Sequence, residues 1–272
     1  MDWSETPQKP LRAGGKTLEY ACHGPGPDQA ATLVLLHEGL GCVALWRDFP
    51  AQLAAATGLG VLVYSRQGYG GSDPVDLPKS LDFMTGEAVD VLPDVLDQMG
   101  IQRCVLLGHS DGATIAAIYA GSVADMRVRG LVLMAPHFFT EPAGLEAIVK
   151  ARDSFEQGDL RARLSKYHSD VDGAFKGWAD TWLDPAFQTW NVAEVIDYLR
   201  IPTLAIQGRD DEYGSLAQIE VIEERAYAPV EMLVLDGCGH APHQEQPQQV
   251  LAAVAEFAAR LERIEAAVVE TA

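Results

Sequence analysis

The sequence predicts an α/β fold: a mostly parallel central sheet with helices on both faces and one inserted helical segment. Three observations predict it. Short apolar runs rich in branched residues recur along the chain, nearly continuous rather than alternating, as strands covered on both faces require. Helical patterns separate these runs, so strand and helix alternate. One stretch, residues 137–197, interrupts the alternation and contains no strand-like run.

The elements follow in order. LEYACHGP (18–25) reads as an edge strand. The buried strands are ATLVLLH (31–37), VLVYS (61–65), CVLLGH (104–109), VRGLVLMAP (128–136), PTLAIQG (202–208) and VEMLVLDG (230–237). LWRDFPAQLAAAT follows the 31–37 run as a helix. EAVDVLPDVLDQMG precedes the 104–109 run as another, with Pro93 a local irregularity, and DGATIAAIYAGS follows that run. From Pro247 onward, Val250, Leu251, Val254, Phe257, Leu261 and Ile264 recur at helical spacing, while Glu256, Arg260 and Arg263 share another face. Pro247 suits the first helical turn, where no amide partner is lost. The segment 137–197 reads as short helices broken at Pro142, Gly158, Gly173 and Pro185. It is expected to sit over one end of the sheet, between core segments 1–136 and 198–272.

Bulk composition narrows the function. With 272 residues, 48% of them hydrophobic, the chain can bury one sizeable core, and no linker or repeat divides it. Its 39 acidic and 20 basic residues give a net charge of -19, which repels a phosphate backbone, so nucleic acid is excluded as a partner. MDWSETPQKP carries no basic-then-apolar leader, and no apolar stretch is long enough to span a membrane. Cys22, Cys42, Cys104 and Cys238 are scattered without CxxC spacing, which points to reduced thiols in a cytoplasmic protein. Oligomeric state is not readable from the sequence.

The chemistry centres on GHSDG, residues 108–112. This is G-x-S-x-G between a strand and a helix, the setting in which a sharp turn lifts a serine hydroxyl above the sheet. Gly108 and Gly112 leave room for that turn. The amide of Asp111 opens the helix and presents its partial positive charge to a developing oxyanion. A serine needs a base, and LVLDGCGHAPHQEQP supplies His240 after a late strand. His243, three residues on, reads as a packing or capping residue, because nothing nearby completes a metal set. The base needs an orienting carboxylate, and GRDDE places Asp210, Asp211 and Glu212 after the preceding strand.

LVLLHEGLG, GHSDG, GRDD and GCGH, in this order and each at a strand end, resemble the α/β-hydrolase fold superfamily over nearly the whole chain. The resemblance implies Ser110 as nucleophile, His240 as base and Asp211 as the acid, three residues after the strand-ending Gly208. It also implies the amides of Gly39 and Asp111 as the oxyanion hole. Glu38 stands where relatives carry glycine; it either contacts or supports the substrate site or is a solvated loop carboxylate. SRQGYGGSDP (65–74) resembles the family's D-x-x-G-x-G-x-S turn with Ser65 replacing aspartate, a structural feature. His109 is commonly packed in relatives, and His23, His137 and His168 carry no motif.

Residues 137–197 resemble the family's helical cap. The cap is rich in aromatics, most of them expected to form its own core. Trp178 and Trp182, four apart on one helix face, and Leu40 in the HEGLG loop are the expected substrate contacts beside Glu38. The resulting expectation is a serine hydrolase, most simply an esterase, acting on a small or medium, apolar or aromatic, ester-like substrate with no cofactor or metal. The same residues suit a C–C bond hydrolase, lactonase, thioesterase or acyltransferase. Relatives that are dehalogenases or epoxide hydrolases use an aspartate nucleophile, which Ser110 opposes. A second class is a small-molecule receptor that retains the three residues, and turnover of simple esters separates the two.

Overall fold

The computed structural model describes Trp3 and residues 10–271, the last four of these by backbone alone. The reading of MDWSETPQKP therefore falls, apart from Trp3 and Pro10, outside the described residues. A hairpin, β1 (Leu11–Ala13) and β2 (Lys16–Leu18), precedes the central sheet. The sheet contains β3 (Tyr20–His23), β4 (Thr32–Leu36), β5 (Gly60–Tyr64), β6 (Cys104–His109), β7 (Val128–Met134), β8 (Thr203–Gly208) and β9 (Val230–Leu235). Their spatial order is β3-β5-β4-β6-β7-β8-β9, with β3 antiparallel at the edge and every other pairing parallel.

Because side chains alternate across a strand, one strand feeds two cores. Leu33, Leu35, Val61, Val63, Val105 and Leu107 face a layer that includes Phe49, Val254 and Phe257. Val34, Leu36, Leu62, Tyr64 and Leu106 face the other, with Leu92, Ile115 and Ile118. This double burial explains why the strands read as continuous apolar runs.

The helices are α1 (Phe49–Thr57), α2 (Phe83–Gly86), α3 (Leu92–Gln98), α4 (Asp111–Ser122), α5 (Pro142–Gln157), α6 (Leu160–Leu164), α7 (Val171–Trp182), α8 (Ala217–Arg225), α9 (Pro242–Glu245) and α10 (Pro247–Thr271). Three details differ from the sequence reading. The helix expected from residue 45 is split: Val43–Trp46 forms a 3-10 turn, Arg47 takes φ 52, and α1 starts at Phe49. A π turn at Glu87–Val91 joins α2 to α3 and absorbs Pro93, whose missing N–H would leave a regular α-helix short of one bond. Gly173 does not break a helix; it lies in the first turn of α7, its amide donating to Asp170. The hairpin and α8 lack a strong pattern and escape the sequence reading.

Pro142 and Pro185 open helical turns, and Gly158 closes α5. The Phe139–Asn191 bridge ties together the two ends of the inserted segment. The 3-10 turn Ala193–Tyr198 packs on α4. Among the described residues no helix is long and apolar enough to cross a membrane.

Candidate active site

The chain leaves β4 toward β5 and returns to β6 on β4's other side, so a crevice opens at the carboxyl ends of β4 and β6. His37–Leu40 follow β4 and Ser110 follows β6. Ser110 takes φ 54 and ψ -121, a strained backbone held by Ser110 N–H donating to the Met134 carbonyl at 2.8 Å. A side chain at Gly108 would strike the Gly112 carbonyl, and one at Gly112 the Leu36 carbonyl. Sterics therefore require both glycines of the motif. As the first residue of α4, Asp111 has an amide with no carbonyl partner inside the helix.

His240, after β9, brings Nε2 to 2.9 Å from Ser110 Oγ. Its Nδ1 lies 2.8 and 2.9 Å from the two oxygens of Asp211, after β8. A carboxylate only accepts, so Nδ1 carries the hydrogen and Nε2 is free to accept from the serine. Asp211 also accepts from Gln207 Nε2 at 2.7 Å and from the Tyr213 amide at 2.8 Å, and its side chain is buried. Asp210 is exposed, its amide tied to the Cys238 carbonyl. Burial alone would lower the pKa of His240, but the hydrogen bond and charge of Asp211 outweigh it and raise the value. Burial would raise that of Asp211, and His240 with the Tyr213 amide brings it below the usual range. The pair can therefore take up a proton from a hydroxyl and hold it.

The β4 loop is fixed from behind. Arg66 N–H donates to His37 Nε2 at 3.0 Å, so His37 carries its hydrogen on Nδ1 and donates to the Glu38 carbonyl at 2.7 Å. The fully buried Arg66 guanidinium donates to the His37 carbonyl and, at 3.0 Å, to that of Glu38. With these carbonyls turned away, Gly39 borders the cavity above Ser110, and a side chain on it would strike Trp178. His168 from the inserted segment donates Nε2–H to the Leu40 carbonyl at 3.0 Å and accepts from Gly70 N–H. Ser65, in the motif's aspartate position, donates to Glu19 at 2.6 Å and accepts from Val43 N–H.

The cavity over Ser110 measures about 120 Å³. Glu38, Gly39, Leu40, Ser110, Asp111, Trp178, Trp182 and His240 all border it. His137, Phe139, Leu145, Ile148 and Tyr213 complete most of the wall. Four further aromatics of residues 137–197 pair off: Phe155 stacks on Phe175 at 3.8 Å and Phe187 on Trp190 at 5.0 Å. Among the described residues no cluster of His, Cys, Asp and Glu could hold a metal ion.

The surroundings of several residues add to the sequence reading. The Asp111 carboxylate, in the first turn of α4, is buried, with Oδ2 3.9 Å from Arg66 Nη2. Burial raises its pKa, and the Arg66 and Lys79 charges oppose that rise. Glu38 is not a solvated carboxylate: it borders the cavity, and Oε2 lies 3.5 Å from His109 Nδ1. His109 Nε2–H donates to the His240 carbonyl at 2.7 Å. His137, without a motif, faces His240 at 5.6 Å between rings, and burial, then the His240 charge, lower its pKa to about 3. Tyr213 packs on His240 at 4.7 Å, its aromatic place in GRDDEYG being the one available signal. His243 packs against Trp46, Phe49 and His109 rather than capping a helix.

With this geometry in place, the comparison with known proteins decides the family. The profile of the alpha/beta hydrolase family matches residues 33–254. The chain belongs to that family. Epoxide hydrolase 3 of Xenopus tropicalis is 23% identical over 288 residues, covering 91% of this chain and 76% of that protein. The pimeloyl-(acyl-carrier protein) methyl ester esterase of Aeromonas salmonicida is 27% identical over 263 residues, covering 86% and 96%. Among solved structures, a meta-cleavage product hydrolase of Pseudomonas fluorescens IP01 superposes with a TM-score of 0.71 at 22% identity, covering 92% and 96%. The enol-lactonase of Burkholderia xenovorans LB400 does so with a TM-score of 0.69 at 20% identity, covering 90% and 97%. These two structures share the fold of this alpha/beta hydrolase.

Proposed function

We propose that this alpha/beta hydrolase is a serine esterase acting on small, apolar or single-ring acyl esters through an acyl-enzyme. Ser110 attacks the carbonyl carbon while His240 takes its proton; His240 then gives that proton to the departing alkoxide. Asp211 holds the imidazole in the tautomer this requires. The amides of Gly39 and Asp111 stabilise the oxyanion. Water, activated by His240 in turn, attacks the acyl carbon and releases Ser110 and the acid. The observation that carries the reading is the chain Ser110 Oγ–His240 Nε2 at 2.9 Å and His240 Nδ1–Asp211 at 2.8 Å.

Cavity size supports the substrate class. A dry cavity of about 150 Å³ accommodates a benzene ring, and this one offers about 120 Å³. Leu40, Trp178 and Trp182 supply apolar wall to the acyl group. The test is a series of 4-nitrophenyl esters from acetate to decanoate, with benzoate, against wild type and Ser110→Ala. Turnover is expected to peak at short chains or benzoate and to vanish in Ser110→Ala. Equal turnover by Ser110→Ala would overturn the assignment, and stoichiometric binding without turnover by wild type would favour a receptor.

A further inference from the structure

Three carboxylates border the cavity: Glu38, Asp111 and Glu141. Two are already engaged. Asp111 lies beside Arg66, with Lys79 behind it. Glu141 accepts from Ser215 Oγ at 2.7 Å, Ser215 N–H at 3.0 Å and Gln218 Nε2 at 2.7 Å. Glu38 differs. Its side chain remains 24% exposed, and Oε2 lies 3.5 Å from Nδ1 of His109, a residue that does not itself border the cavity. No lysine or arginine is among the cavity-bordering residues, and the remaining wall includes Trp178, Trp182, Phe139 and Tyr213.

Resting on the esterase reading of the same site, we propose that Glu38 makes the pocket charge-selective. It admits small esters that are neutral or that carry a cation or hydrogen-bond donor, and rejects those that carry a carboxylate. Glu38 thus has a specificity role at the position where an uncharged residue would leave the loop indifferent to charge. Burial would push its carboxyl pKa up, but the neighbouring imidazole of His109 brings it below the usual range. Two unit charges about 6 Å apart at an effective dielectric of about 20 shift an equilibrium by roughly 100-fold. The facing His109 and solvent at the pocket mouth reduce this, so a preference of at least about 10-fold is expected between a cationic and an anionic substrate of one shape.

The test uses three 4-nitrophenyl esters that differ at one ring position: 3-(aminomethyl)benzoate, 3-methylbenzoate and 3-carboxybenzoate. Each kcat/KM is divided by the ester's rate with hydroxide, which removes intrinsic reactivity. For wild type the expected order is aminomethyl, methyl, carboxy, and Glu38→Gln is expected to compress the aminomethyl-to-carboxy ratio at least about 5-fold. A ratio unchanged by Glu38→Gln, or a wild-type preference for the carboxy ester, overturns the proposal. A second arm needs neither turnover nor the Glu38 variant. Calorimetric binding of benzylammonium and of benzoate to Ser110→Ala is expected to favour benzylammonium, and equal or reversed affinity overturns the charge selection. Tighter benzylammonium binding with no wild-type turnover of any ester would support the charge selection and sink the esterase reading alone.

Discussion

Replacing Arg66 by methionine tests what holds the β4 loop over Ser110. The guanidinium is fully buried and donates to two carbonyls, those of His37 and Glu38. It is also the cation 3.9 Å from the buried Asp111 carboxylate. Two hydrogen bonds from a charged donor are worth about 1.5 kcal/mol each at the low end. Stripping a buried charge of its partner costs about 3–5 kcal/mol. Methionine packing and protonation of the stranded Asp111 return part of this, leaving a destabilisation of about 4 kcal/mol. Urea unfolding followed by tryptophan fluorescence measures it. If Asp111 is the main source, Arg66→Met combined with Asp111→Asn should be about 2 kcal/mol more stable than the sum of the single effects. A loss under about 1 kcal/mol, or strict additivity in the double variant, would refute the argument that Arg66 neutralises Asp111 while bracing the loop.

Further outcomes follow from the same geometry. Asp211→Asn should lower kcat by about 10³–10⁴ while Asp210→Asn stays near wild type, and steady-state kinetics on a short ester would show the reverse if the acid were misassigned. The base must be unprotonated, so kcat/KM should rise with pH and reach half its plateau above pH 6.5, because Asp211 raises the His240 pKa. In Asp211→Asn only the charges of Glu212 and Glu38 still oppose burial, so the midpoint of the residual activity should move below that of wild type; a pH profile that moves upward contradicts this. Gly39→Ala should cost at least about 10-fold in kcat/KM, since the new methyl meets the Trp178 indole, and Trp178→Leu in the same chain should recover part of it.

The fold was largely legible because its signal is local. Continuous branched runs such as CVLLGH, covered on both faces, carry their own periodicity, and all seven strands of the central sheet fall within a few residues of their expected bounds. The short hairpin before the sheet and α8 lacked such a pattern. Ser110, His240 and Asp211 stood out because each follows a strand end within a short glycine-containing motif, and the parallel sheet brings strand ends together. Arg66 was not legible: it sits inside a turn motif whose expected role was structural, and its contacts reach residues 28, 29 and 45 positions away. His137 and His109 were likewise placed beside His240 only by packing between separate strand ends. For Glu38 the sequence left two readings, and the fold places it at the cavity with His109 3.5 Å away.

The central claim is that Ser110 becomes acylated. Rapid quenching of wild type with a short 4-nitrophenyl ester, followed by intact mass and peptide mapping, tests it most directly. The expected result is a burst of one 4-nitrophenolate per chain, with the mass of one acyl group on the peptide containing Ser110 and none in Ser110→Ala. Turnover without any acylated species, or an acyl group trapped on another residue with Ser110→Ala still active, would contradict it.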